Sequence, residues 1–318
     1  MGSAGTYKRD IPKNRHLPRV SSLGFKAKKH LQTAIPKFVL APSFTISLIF
    51  VYGFIVWTVC LSFTNSSLMP SYEWVGLKQY LRLWSIPNWY TALRNLVIFG
   101  TLYIGICCGL GLFWAILLDQ KIRIEGLLRP IFLYPMALSF IVTGTAWQWF
   151  LNPGLGLEKA MKALGWSSFS FKWIIDSEMA IYTVVIAAVW QTSGFVMAMF
   201  LAGLRGIDDE MIKAAHLDGA PTHKIYLRII IPQLRPTFLS AVVVLSHMAI
   251  KSFDLVIALT GGGPGNATEL PATFMYSYTF TRTQMGVGAA SAVMMLMTIA
   301  AIMIPYLFSE LRDQGHEH

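Results

Sequence analysis

Lys251 and Asp254 stand three residues apart in an otherwise apolar run of this chain. Charge inside a membrane-type segment is costly, so such residues face a cavity or each other. On one continuous helix the spacing puts both on a shared face. There they either neutralise each other or line a path for a polar solute. Trp147 and Gln148 occupy a second run; Trp190 and Gln191, followed by Thr192 and Ser193, occupy a third. These place hydrogen-bonding groups beside broad aromatic faces. A sugar suits such a wall, because its C–H faces stack on rings while its hydroxyls need donors and acceptors. An aromatic belt at a membrane interface is the competing reading for Trp149 and Trp190. The candidate substrate-path set is therefore Trp147, Gln148, Trp190, Gln191, Lys251 and Asp254.

No catalytic or metal-binding set accompanies them. His216 and His223 read as surface residues, and His316 and His318 fall in the terminal residues. Cys60, Cys107 and Cys108 all sit in apolar runs, without the spacing of a disulfide framework or zinc site. Gly261-Gly262-Gly263-Pro264-Gly265 lacks the Lys-Ser/Thr and the strand–loop–helix setting of a phosphate loop. It reads as a tight outer turn, with contact to a binding partner as the second reading.

The elements that must position these residues are membrane helices. Of 318 residues, 54% are hydrophobic and 13% charged, against about 25% charged in soluble domains. Six apolar runs, near 38–63, 94–118, 130–151, 180–204, 237–259 and 286–308, each reach the roughly 20 residues that a spanning helix needs. With the N-terminus inside, eighteen of the 26 Lys and Arg fall in inner segments. That excess predicts both termini and residues 205–236 on the cytoplasmic side. It also explains the net charge of +10 without nucleic acid. Residues 1–35 are basic and carry no secretory signal pattern, so a cytoplasmic tail is expected, with anionic lipid as a secondary partner. The domain expectation is a tail over 1–35, a six-span domain over 36–310 and a short cytoplasmic tail over 311–318.

Between the fourth and fifth runs lies a polar stretch with compact structure, Glu210 to Pro236. Asp208, Asp209 and Glu210 supply negative charge at a helix start. Met211, Ala214, Ala215 and Leu217 form a short helical pattern. Asp218-Gly219 stops it, glycine being able to take a left-handed cap. Pro221 is predicted one residue inside the next helix, and Pro232 and Pro236 precede the fifth run. The result is a bent pair of short helices held by membrane segments at both ends, an elbow suited to docking.

Lys213-Ala214-Ala215, Gly219 and Ile229-Ile230-Ile231-Pro232 follow the spacing of the cytoplasmic signature of binding-protein-dependent ABC importer permeases. The signature reads Glu-Ala-Ala, three residues, Gly, nine residues, Ile-x-Leu-Pro. Lys213 replaces its Glu and Ile231 its Leu. The first change reverses a charge, so any ionic role of that Glu does not carry over. Val75-Gly76-Leu77-Lys78-Gln79-Tyr80, Trp147 to Pro153, and Phe253-Asp254 with Leu259 to Gly265 resemble segments of the sugar-type permeases. The resemblance runs over about 36–310 and is nearest the maltose-type carbohydrate branch.

It implies an all-α integral membrane fold of six transmembrane helices: a type I importer permease core with a coupling-helix elbow, in the bacterial inner membrane. It further implies that Glu210, Lys213, Ala214, Ala215, Asp218, Gly219, Ala220 and Pro232 dock an ATPase. The implied partners are two ATP-binding subunits that hold ATP and Mg, a periplasmic sugar-binding protein and a second, non-identical permease. No cofactor is expected on this chain, which would be a transport subunit and not an enzyme. A stand-alone secondary transporter with Lys251 and Asp254 as proton-coupled groups is the alternative.

Overall fold

Backbone polar groups have no water to bond in a bilayer core, so apolar runs of this length must satisfy them internally as helices. The computed structural model describes residues 22–120 and 124–314. The readings placed on residues 1–21, on Lys121 and Arg123, and on His316 and His318 fall outside the described residues. Among those described, all regular elements are helical, and one isolated antiparallel bridge joins Thr64 to Trp74.

Two units divide the chain, residues 1–56 and residues 57–318. The first carries most of α1 (Ser22–Ser62), which takes in residues 22–35 as helix. The second contains α2 (Lys78–Ser85), α3 (Pro87–Asp119), α4 (Glu125–Ala137), α5 (Phe140–Leu151), α6 (Leu157–Ala163) and α7 (Ala180–Arg205). After these come α8 (Asp209–Leu217), α9 (Thr222–Ile225), a π turn (Tyr226–Ile230), α10 (Ile231–Gln233) and α11 (Arg235–Ile250). The chain continues with α12 (Asp254–Thr260), α13 (Pro271–Tyr276), a second π turn (Ser277–Thr281) and α14 (Met285–Gln314).

Four helices are each long and apolar enough to cross a membrane: Leu40–Ser62 of α1, α3, α7, and Met285–Phe308 of α14. Two bent pairs, α4 with α5 at 97° and Thr222–Gln233 with α11 at 61°, bring the number to six where each pair counts as one broken span. The expected continuous helix over 130–151 is thus corrected, and the one expected over 237–259 is interrupted at 251–253. In the first, Pro130 and Pro135 lie within α4, and Leu138 turns extended (φ −78, ψ 147). Ser139 then caps α5, its Oγ accepting from the Val142 N–H at 3.3 Å. In the second, Lys251 caps α11, Phe253 leaves helical geometry (φ −123, ψ −60), and Asp254 opens α12.

α7 holds the centre, with Val184, Ala188, Val196, Met197 and Phe200 buried on it. A helix apolar on all sides belongs inside a bundle. Phe99, Tyr103, Cys107 and Ala115 of α3 belong to the same core. Small residues set the spacing: a Cβ at Gly111 would come within 2.7 Å of Val196, and one at Gly144 within 2.6 Å of Ala258 on α12. The polar stretch of α7 also has a packing role. Gln191 is 1% exposed, and its Nε2 donates to the Leu138 carbonyl at 2.8 Å, a group freed by the α4–α5 break. Leaving a part-buried carbonyl like this unbonded costs up to about 1–3 kcal/mol. A second cluster unites Leu83 of α2, Trp89 of α3, Phe274 of α13, and Val287 and Ala290 of α14.

Candidate functional site

Two places in the second unit gather groups able to act on a solute or a partner. The first is a cleft of about 110 Å3 at the break between α11 and α12, lined by Phe99, Tyr103, Met248, Lys251, Ser252 and Asp254, among others. Phe99 and Tyr103 are stacked at 5.3 Å with ring planes 6° apart. Their i, i+4 spacing on α3 brings this about.

Each charge is explained by its own helix. Lys251 sits at the C-terminal end of α11, and Asp254 is the first residue of α12. An ammonium and a carboxylate are respectively favoured at those ends. The ion pairs among the described residues are Arg129–Glu125, Lys162–Glu158 and Arg205–Glu125, so Lys251 and Asp254 do not pair. The shared helix face is therefore corrected. A helix break separates the two, and both side chains are exposed at the cleft.

The tryptophan and glutamine candidates lie elsewhere. Trp147 packs edge-on against Trp190 (5.9 Å) and Phe150 (5.4 Å) and rests on the core. Gln148 is half-buried, Trp190 is 41% exposed and Trp149 is 69% exposed. Gln191 is committed to the Leu138 carbonyl. The cleft thus unites Lys251 and Asp254 with Phe99 and Tyr103, which reading the sequence missed. The spacing of those two rings was the available signal.

The second place is the elbow. The Asp208 carboxylate accepts from the Glu210 N–H at 2.8 Å and opens α8. Asp218 ends it, and Gly219 takes φ +73. The Gly219 N–H donates to the His216 carbonyl (3.0 Å) and the Ala220 N–H to that of Ala215 (3.1 Å). Together these form a Schellman stop. Pro221 is the cap of α9, one residue earlier than expected. Glu210, Met211, Lys213, Ala214, Leu217, Asp218 and Pro232 are exposed. Ile212, Ala215 and Ala220 turn inward and pack on the core. The outward face of α8 thus shows Met211, Ala214 and Leu217, the last 89% exposed. Met211 Sδ accepts from the Gln233 Nε2 at 2.9 Å, and Ala214 and Leu217 remain exposed on a short, capped helix.

Residues 107–315 match the family described as the binding-protein-dependent transport system inner membrane component. The chain belongs to that family. The match spans the elbow and the Lys251–Asp254 side of the cleft, with Phe99 and Tyr103 just before its start, and it makes the protein a multi-pass membrane component of a transport system. A probable ABC transporter permease of Pyrococcus horikoshii is 42% identical over 271 residues, 85% of this chain and 93% of that one. A xylose/arabinose import permease of Haloferax volcanii is 36% identical, with 86% of each chain covered. A trehalose/maltose permease of Thermococcus litoralis is 30% identical over 76% of this chain and 81% of that one. In fold the permease matches a bacterial importer of the polysaccharide alginate with TM-score 0.75. That match covers 91% of this chain and 98% of the other at 17% identity. The all-α permease core read from the sequence is borne out.

Proposed function

We propose that the permease forms half of the path of an ATP-driven carbohydrate importer and docks its ATPase through residues 205–236. The cleft carries this reading. Exposed Lys251 and Asp254, with Ser252 between them, supply donors and acceptors for sugar hydroxyls, over a floor formed by the buried Phe99 and Tyr103 rings. A few placed polar groups in an aromatic-lined concavity are what a small-molecule site requires. The xylose/arabinose and trehalose/maltose relatives support the substrate class.

The partners are two ATP-binding subunits holding ATP and Mg, a periplasmic sugar-binding protein that delivers substrate, and a second permease. The excess of Lys and Arg in the inner segments supports a cytoplasmic elbow and cytoplasmic termini. Lys213, exposed on α8 where the family has Glu, favours a second permease of different sequence. Two copies of this chain would present Lys to both ATPases, whereas a partner that keeps the Glu retains one acidic contact. Its long stem lets Lys213 reach solvent at little cost.

The test is uptake of xylose, arabinose, maltose and trehalose into vesicles holding the assembled transporter and its binding protein. Accumulation should require ATP and ignore proton gradients. Uptake that followed a proton gradient without ATP would instead support the secondary-transporter reading. Asp254→Asn should lower uptake about tenfold or more, the scale of one lost hydrogen bond to a charged group, ~1.5–3 kcal/mol. Trp147→Ala should have a smaller effect, since Trp147 does not line the cleft. Equal uptake by Asp254→Asn and the unaltered permease would remove the cleft from the path. Vesicles with this chain as the sole permease should be inactive, and transport by them would refute the non-identical partner.

A further inference from the structure

We infer that the hydrogen bond from Gln120 to Tyr226 is the latch by which the elbow moves the spanning helices, which makes these two positioning residues for import. This rests on the docking role proposed above. Gln120 caps the elbow end of α3, and its Nε2 donates to the Tyr226 hydroxyl at 2.8 Å, across 106 residues of sequence. Tyr226 opens the π turn Tyr226–Ile230. Such turns are rare single insertions in α-helices and occur often at functional sites.

The position of this turn gives the bond its meaning. On one side lies α8 with its Schellman stop. On the other, the rod Thr222–Gln233 bends by 61° into α11. Along the backbone a displacement of α8 reaches α11 through the π turn, beside the contacts of Ile212, Ala215 and Ala220 with the core and the Gln233 Nε2 to Met211 Sδ bond at 2.9 Å. A turn that can exchange π for α geometry absorbs displacement unless its first residue is held. An open groove of about 320 Å3, lined by Asp119, Gln120, Ile212, His216, Thr222 and Tyr226, among others, lies at this point. The Gln120–Tyr226 bond lies at the rim of this open groove, beside the packing of Leu118 of α3 in one core with Ile225 and Ile230. α3 also carries Phe99 and Tyr103 of the cleft wall. The latch thus joins the docking element to the helix that lines the path.

The experiment uses the permease assembled with its ATPase in vesicles, supplied with the sugar that unaltered vesicles accumulate. Three quantities are read: ATPase retained on co-purification, ATP hydrolysed, and sugar imported per ATP. Tyr226→Phe keeps the ring and removes the hydroxyl; Gln120→Leu removes the donor. Each should leave retention unchanged and lower import per ATP about fivefold, which is the ~1 kcal/mol of one hydrogen bond converted at 1.4 kcal/mol per decade. The double variant should be no worse than either single one. Gln120→Glu, whose carboxylate accepts from the Tyr226 hydroxyl, should restore the ratio. An unchanged ratio in Tyr226→Phe, multiplied losses in the double variant, or loss of ATPase retention would each overturn the latch. Gly219→Pro separates the two ideas, because ATPase retained by that variant refutes the docking role itself.

Discussion

Gly219→Pro should release the ATPase subunits from the permease, lowering co-purified ATPase by more than tenfold and abolishing ATP-dependent uptake. The residue holds φ +73, whereas proline is locked near −65°. Its N–H donates to the His216 carbonyl at 3.0 Å, a donor that proline lacks. The Schellman stop therefore cannot form, and α8 runs on or frays instead of turning back into α9. Gly219→Ala keeps the N–H and meets only the left-handed penalty, about 1–2 kcal/mol. It should weaken retention without abolishing it. The outward face of α8 gives an independent check. Leu217→Asp places a carboxylate on the exposed apolar face and should impair retention with the elbow intact, since a buried unpaired charge is costly at an interface. Ala215→Asp reports something else: Ala215 packs on the permease's own core, so this change disturbs the elbow before any partner arrives. Retention equal to the unaltered permease in both Gly219→Pro and Leu217→Asp would refute docking through α8.

What the sequence made legible follows from the range of each signal. Spans and elbow were readable because length, apolarity and a Gly-centred stop are local properties. The breaks at Leu138 and at Ser252–Phe253 were hidden, since apolarity runs on through both and hydropathy measures composition, not geometry. Pro135 was seen, but a proline inside a span is compatible with a mild kink as well as with a 97° bend. What decides between them is Gln191, 53 residues away, whose amide satisfies the carbonyl freed at the break. The same blindness affected Lys251 and Asp254. Their spacing implied one helix face, whereas the helix ends between them. Gln120 and Tyr226 carry no local mark at all, because their meaning is a contact across 106 residues. Phe99 and Tyr103 were the exception, an i, i+4 aromatic pair that reading for polar groups passed over.

Gly194→Ala should be the most damaging single-methyl change in the α4–α7 interface. A Cβ at Gly194 would stand 1.8 Å from the Phe132 carbonyl oxygen and 2.6 Å from its carbon. Both are backbone atoms, so no rotamer change relieves the overlap. α4 cannot simply move aside. Near one end Glu125 holds Arg205 of α7 at 2.6 Å, and just past the other Gln191 of α7 holds the Leu138 carbonyl at 2.8 Å. Separating the helices costs about 1–3 kcal/mol for overpacking. Loss of the Gln191 bond adds up to about 1–3 kcal/mol for a part-buried carbonyl left unbonded. A total near 3 kcal/mol corresponds to a melting temperature lower by roughly 10 °C, on the scale of domains of about 200 residues. The measurement is thermal unfolding of the purified permease in detergent, with Gly109→Ala as control. A Cβ at Gly109 meets nothing within 4 Å, and a helix-interior Gly→Ala change there should raise stability by up to about 1 kcal/mol. The two variants therefore move in opposite directions from the same chemical change. Equal melting of Gly194→Ala and Gly109→Ala would mean that α4 does not lie on α7 at this distance, and the bent third span would then lack the support that Gln191 gives it.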